Sequence, residues 1–375
     1  MTFESKTIAP AETGFMLAGA SARTAAPVRK AVKKSNDDKA MLKAAAQLTR
    51  DLNRPDARIF WADMLGSVLL GYLGLAATIL VGPMALKLVF GAMATLALYR
   101  AGSFIHEISH IKRGDLPYFR LAWNALVGVP LFAPSFMYEG VHNQHHAKTK
   151  FGTIEDPEYL PLASMKPWSL PLFMLFGTLA PVLLLFRFAV LAPLSFFSRR
   201  LRRQVVEKYS GLQINPDFRR AWPEGEFARQ FTYQEVGSVI WSWLLIGSVA
   251  SGVVPLSAFV TFMVVACALM GLNQLRTLVA HLWENDERQP VSVTEQYLDS
   301  VNVPPPNLLS ALWAPVGLRY HALHHLLPGV PYHNLGKAHA RLSSELEAGS
   351  AYHRTTATGL WPLVANLARQ TLKSR

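Results

Sequence analysis

Histidine placement is the most informative feature of this 375-residue chain. His106 and His110 stand in HEISH, His142, His145 and His146 in HNQHH, and His321, His324 and His325 in HALHH. Residues three or four apart on a helix share a face, so each cluster can aim two or three imidazoles at one point. His281, which ends a long apolar segment, is a ninth candidate. Neutral imidazole is the commonest metal-binding side chain and suits iron, zinc and copper. Eight or nine imidazoles exceed the needs of one ion, so the pattern predicts two ions close together.

HEISH also matches the H-E-x-x-H of zinc metalloproteases, in which Glu107 would be the general base. An intramembrane protease would leave both HxxHH clusters idle, and no third protease ligand stands out. Metal transport or bis-histidine haem binding would call for ionisable residues deep inside membrane spans. The apolar segments here are nearly free of them, and the histidines stand at segment ends. The spacing of Glu139 to His142 repeats the Glu-x-x-His of soluble di-iron bundles only once and reads as coincidence.

The chain is 51% hydrophobic and 17% charged, against about 25% charged in soluble proteins. Its apolar residues are bunched, which marks a membrane protein. A single cysteine, Cys267, excludes internal disulfides and cysteine-built metal sites. The formal charge of +12 sits beside the apolar blocks. It therefore reads as membrane topology and not as nucleic-acid binding.

Those blocks must bring the histidines together. Residues 1–50 are expected to be a basic, mostly disordered cytoplasmic tail, with a short amphipathic helix near 38–53. A membrane domain fills 51–345, and 346–375 form a cytoplasmic C-terminal tail. Blocks at 60–81 and 84–105 each match the roughly 20 residues of a spanning helix. Gly82-Pro83 turns them into a hairpin that ends in HEISH. Residues 116–141, broken by three prolines, read as interfacial. Residues 167–198 contain Arg187, are divided by Pro171, Pro181 and Pro193, and precede the basic run at 199–203, so they read as re-entrant or interfacial helices. Residues 201–235 read as a polar soluble segment, and 236–254 and 256–275 as the third and fourth spans. A polar, Pro-rich connector at 282–320 then leads to HALHH. The fold expected is all-α and multi-pass, with four transmembrane helices in two hairpins, interfacial helices and a cytoplasmic cap carrying the histidine boxes.

No protein side chain attacks an unactivated C–H bond; a metal centre that activates O2 can, with the protein supplying position. Two irons at a membrane face suit that task. HEISH, HNQHH and YHALHHLLPGVPYHNL resemble the three histidine boxes of the membrane fatty acid desaturase superfamily. The third stretch, with Tyr320 before the box and Pro-x-His-Asn-Leu at 331–335, resembles its acyl-lipid and acyl-CoA desaturase branch. The resemblance covers roughly residues 60–340. It implies a non-haem di-iron centre, O2 as co-substrate, and an acyl tunnel between the spans. It also implies an external electron donor, ferredoxin or cytochrome b5-like, which the basic face would attract.

Carried onto this chain, the eight box histidines are ligands, and His281 takes the place of the family's further histidine after the last span. Some members hold a water through an Asn four residues before that histidine; Thr277 stands there instead. No His-Pro-Gly-Gly motif marks a fused cytochrome b5 domain. Metal-bound imidazoles donate their second N–H to a carboxylate or carbonyl, which makes Glu107, Asp156, Arg276 and Asn334 the supporting candidates. His333 is a weaker one, and His339 and His353 are expected at the surface. The third-box stretch points to desaturation of a long acyl chain carried on a lipid, CoA or carrier protein. Hydroxylases and ketolases of lipids or carotenoids share the boxes and form the alternative.

Overall fold

The structure, a computed structural model, describes residues 37–112 and 114–373. Among them are helices and isolated bridges but no strand. Helix α1 (Lys39–Leu48) starts at Asp38, whose carboxylate accepts from Met41 N at 2.9 Å. Asp56 caps α2 (Ala57–Leu80) in the same way, accepting from Arg58 N at 2.8 Å. Such caps satisfy amides that have no partner in the first turn. At 24 residues, α2 is about 36 Å long, enough to cross a bilayer. The chain turns at Gly82-Pro83, and α3 (Met84–His110) runs unbroken from the membrane into the first histidine box.

Short elements follow: α4 (Phe119–Trp123), continued by a π-helical turn, and α5 (His142–His145), which carries the second box. Next come α6 (Ser169–Thr178), α7 (Ala180–Phe186) and α8 (Ala192–Ser195), then the basic α9 (Arg199–Tyr209). Two long helices, α10 (Gly225–Ala250) and α11 (Leu256–Leu278), precede α12 (Val293–Asp299) and α13 (Ser310–Trp313). The third box forms α14 (His321–Leu326), and α15 (Tyr332–Glu345) and α16 (Leu360–Lys373) complete the chain.

By length and composition, α2, α3 and α11 can each cross a membrane, and α6 with the stretch 180–195 makes a fourth candidate bent by 54°. Such a bend fits either a broken span or the re-entrant form expected of 167–198. The third span expected at 236–254 falls mostly in α10, which ends at Ala250 and is not among the helices apolar enough to cross a membrane. The segment 201–235, expected to be polar and soluble, holds α9 and the start of α10.

The α2–α3 hairpin is the main frame, and small residues let its helices close. A Cβ on Gly71 would come within 2.7 Å of the Leu98 side chain, and one on Gly74 within 3.0 Å of the Ala94 amide. Close backbone approach drives helix pairing where lipid removes the hydrophobic effect. Above this frame, Phe60, Phe104, Phe119 and Tyr332 stack edge-on, with Phe60 and Tyr332 centroids 4.9 Å apart. The cluster locks the start of α15, just after the third box, onto both spans.

Arg187, which interrupts the apolar block at 167–198, is buried and paired through Nε and Nη2, while its Nη1 has no partner. It donates to Glu235 Oε1 at 2.6 Å, Ser210 Oγ at 2.8 Å and Tyr209 O at 3.0 Å. Arg202 takes the other Glu235 oxygen at 2.6 Å. Removing one partner of a buried ion pair strands the other charge and costs about 3–5 kcal/mol. Glu235→Ala should therefore lower the unfolding midpoint of the detergent-purified protein by several degrees; an unchanged midpoint would mean Arg187 finds water instead.

The described segments near both ends of the chain are packed against the rest. The amphipathic helix expected near 38–53 is α1, whose Met41 and Ala45 join a core with Leu335 and Leu342 of α15. Arg341 ties its end by donating to Leu48 O at 2.6 Å. The first 36 residues of the expected tail lie outside the described residues. The segment 346–375 holds α16, which buries Leu367 in a cluster with Leu162 and Trp283.

Candidate metal centre

The nine histidines converge into two groups of ligand atoms. His106, His110, His142, His146 and His324 form one, and His145, His281, His321 and His325 the other, with the ligand atoms of each group within 4.8 Å of one another. Every HxxHH box is split between them. Its first and last histidines serve one group, and the middle one serves the other. Neighbouring helical residues diverge by about 100°, so the adjacent pairs His145/His146 and His324/His325 cannot share a target. The sequence reading, in which each cluster aims at one point, is corrected on this detail.

All nine residues are buried or half-buried. Burial pushes His142, His146, His281, His321, His324 and His325 well below the ordinary imidazole range, which keeps them neutral. Burial also opposes charge on His145, but the adjacent Asp156 outweighs it and raises that residue. His145 Nδ1 meets both Asp156 oxygens at 3.0 Å. Asp156 is held in turn by Gly152 N at 2.7 Å and Glu158 N at 2.8 Å. His142 Nδ1 meets Glu158 Oε1 at 2.8 Å, while Tyr138 donates to Oε2 at 3.0 Å. Burial raises the Glu158 carboxyl to about 7. His281 Nδ1 lies 3.2 Å from Ser300 Oγ and 3.5 Å from Asp299 Oδ2.

These partners decide which nitrogen is free. A carboxylate on Nδ1 holds the proton there and leaves Nε2 as a bare acceptor. The Nε2 atoms of His145 and His281 nonetheless face each other at 3.2 Å, and His321 Nε2 stands 3.0 Å from His281 Nε2. In the other group, His146 Nε2 is 3.0 Å from His142 Nε2 and 3.1 Å from His324 Nε2. His106 has both ring nitrogens buried without a partner. Buried lone pairs that face one another are costly unless a cation lies between them. The donor set, all imidazole with carboxylates behind it, fits a pair of borderline transition-metal ions such as iron.

The supporting candidates fare differently. Asp156 stands directly behind a box histidine. Glu107 accepts from Tyr332 N at 3.0 Å and lies 3.6 Å from His106 Nδ1, so it chiefly ties α15 to α3. Arg276, near the end of α11, has a buried Nε without a partner, and its charge is felt at Glu158 and His281. Asn334 is corrected: its amide donates to Leu52 O at 2.8 Å, because α15 turns this side toward the N-terminal segment. His333 likewise accepts from Asp56 N at 3.0 Å, away from both groups. His339 and His353 are half-buried rather than at the surface, and His339 Nδ1 meets Tyr352 OH at 2.9 Å. Glu139 pairs with Arg120 at 2.7 Å, so its spacing to His142 is indeed coincidental. The sequence reading missed Tyr138, Glu158, Asp299 and Ser300. Glu158 could have been found, since it stands two residues after Asp156 in EDPEY. Asp299 and Ser300 carried no signal; only the bridge between His281 and Ser300 brings them in.

A helical membrane frame with two all-histidine groups at the end of its spans could hold two metal ions, the arrangement of a membrane metalloenzyme. The fatty acid desaturase family model matches residues 77–357, which include all nine histidines, and the chain belongs to that family. It is also 49% identical over 337 residues to a ceramide hydroxylase of Caulobacter vibrioides (strain NA1000 / CB15N), a match covering 90% of this chain and 95% of the relative. The chain is thus an oxidoreductase of the desaturase and hydroxylase superfamily.

Proposed function

We propose that this chain hydroxylates a ceramide, using O2 and two histidine-held iron ions. The observation that carries the reading is the 49% identity to a ceramide hydroxylase along nearly the whole of both chains. Desaturation of an acyl lipid is the second reading, favoured by the YHALHHLLPGVPYHNL stretch. That stretch stands in a chain with a hydroxylase relative, so it discriminates less than the sequence alone implied. Overall, hydroxylation would place one atom of O2 on the lipid and send the other to water. Two electrons would come from an external donor of the ferredoxin or cytochrome b5 type.

His106, His110, His142, His146 and His324 would hold one ion, and His145, His281, His321 and His325 the other. Bound there, the ions would supply O2 activation and C–H oxidation, the chemistry that side chains lack. Asp156 and Glu158 fix the rings of His145 and His142 by holding their Nδ1 protons. Phe151, Tyr159 and Trp283 pack around His281 with ring centroids within 5.9 Å and keep water from the four-histidine group. Because α3 carries His106 and His110 on the end of a span, a lipid still seated in the bilayer would approach the centre along the same helix. The basic run at 199–203 and the uncharged link between α10 and α11 support a cytoplasmic position for the centre.

Expression in a host that makes ceramide, followed by lipid mass spectrometry, tests the reading. Ceramide should gain one oxygen, and growth under isotopically heavy O2 should transfer the label to that position. A loss of two hydrogens with no added oxygen would establish the desaturase reading instead.

A further inference from the structure

The connector between α12 and the third box reads as polar in the sequence, yet residues 303–318 contain no charged side chain. This stretch leaves the histidine cap and returns to it. Its base is closed by the bridge between Asn302 and Tyr320 and by Val303 N donating to Arg319 O at 2.7 Å. Arg319 adds bonds to Val303 O at 2.9 Å and Asn307 O at 3.0 Å. The returning segment therefore ends one residue before His321.

The tip is the reverse of a solvated loop. Three prolines, 304–306, precede Leu308, Leu309 and Leu312, which are 78%, 69% and 52% exposed. Loop tips in water carry polar residues, and an apolar tip with no cover marks a contact site. Its few polar side chains are internally satisfied. Ser310 Oγ donates to Asn307 O at 2.7 Å, and Asn307 Nδ2 donates to Thr358 O at 2.9 Å. Internal satisfaction of this kind is what a hydrocarbon environment demands.

What covers the tip follows from where it is tied. Helix α13 packs on α3 and α11, both of them candidate spans. The Trp313 carbonyl accepts from the Tyr99 hydroxyl at 2.9 Å. Tyr99 lies eleven residues inside α3 from His110, about 16 Å along the helix axis. The end of the loop therefore lies beside α3 and α11, about two to three helical turns from the histidine end of α3.

We propose that residues 304–313 are a membrane-inserting loop that dips into the leaflet nearest the histidine centre, beside α3 and α11. Through Arg319 and the Asn302–Tyr320 bridge it fastens the third box to the bilayer surface, so that lipid meets the metal ligands at a fixed depth.

The test uses the full chain with Cys267→Ser and one introduced cysteine, Leu309→Cys, Leu69→Cys or Ser344→Cys, each carrying an environment-sensitive fluorophore. Leu69 is an exposed face of α2, and Ser344 an exposed position on α15. The labelled proteins are reconstituted in phosphatidylcholine vesicles containing lipids with a nitroxide on the acyl chain. The probe at 309 should lose emission to the nitroxide lipids as the probe at 69 does, while the probe at 344 keeps its emission. A probe at 309 that behaves like the one at 344, and is quenched by iodide in the water instead, would overturn the proposal.

Discussion

Changing His145 or His324 to alanine is expected to abolish turnover and lower the metal content of the purified protein. The two changes should not be equal. His145 belongs to the group of four, and its loss leaves three imidazoles; His324 belongs to the group of five, and its loss leaves four. Zinc, iron and copper sites with three protein ligands persist mainly where an open position is part of the design. His145→Ala should therefore lose its ion more completely than His324→Ala. His339→Ala supplies the control, since His339 stands against Tyr352 and outside both groups. Metal analysis of the three variants, with lipid turnover measured on the same preparations, gives the comparison. Equal metal content in His145→Ala and His339→Ala would mean that His145 is not a ligand.

Asp156→Asn should cost about 10–100-fold in metal affinity or activity, the range found when the partner of a metal-bound histidine is changed. Asp156 has no solvent exposure and serves three donors: His145 Nδ1, Gly152 N and Glu158 N. An asparagine keeps the shape but offers one acceptor oxygen where the carboxylate offered two. Either His145 loses its orienting bond or a buried amide goes unpaired, and a buried unpaired group costs about 1–3 kcal/mol. Chelator competition reads metal affinity, and thermal unfolding reads stability. If Asp156 only shapes the 152–158 turn, unfolding will shift while the competition curve stays in place.

Short-range pattern explains what could be read from the residues alone. The three boxes are visible because histidines three and four apart lie on single helical turns. The α2–α3 hairpin is visible because two apolar runs of spanning length meet at Gly82-Pro83. Asp156 was found through the motif in which it stands. What escaped depends on distant partners. The placing of each histidine in one group or the other follows from how α5 and α14 are rotated against α3, which spacing does not determine. Asp299 reaches His281 only because Leu282 N bonds Asp299 O at 2.6 Å and aligns the two segments. Arg187 looked ambiguous because its partner Glu235 is 48 residues away. Asn334 lay beside a box in sequence, but the turn into α15 directs it to Leu52. The stretch at 303–318 reads as part of a polar connector, although it carries no charge and, beside apolar residues, only Asn307 and Ser310.

Metal analysis of the active wild-type protein, purified in mild detergent without added chelator, tests the central claim most directly. The arrangement of five and four imidazoles predicts close to two iron ions per chain, with ceramide hydroxylation rising in proportion to iron content. A single tightly bound zinc ion in fully active protein would contradict the account, leaving one histidine group without a role and returning HEISH to the protease reading.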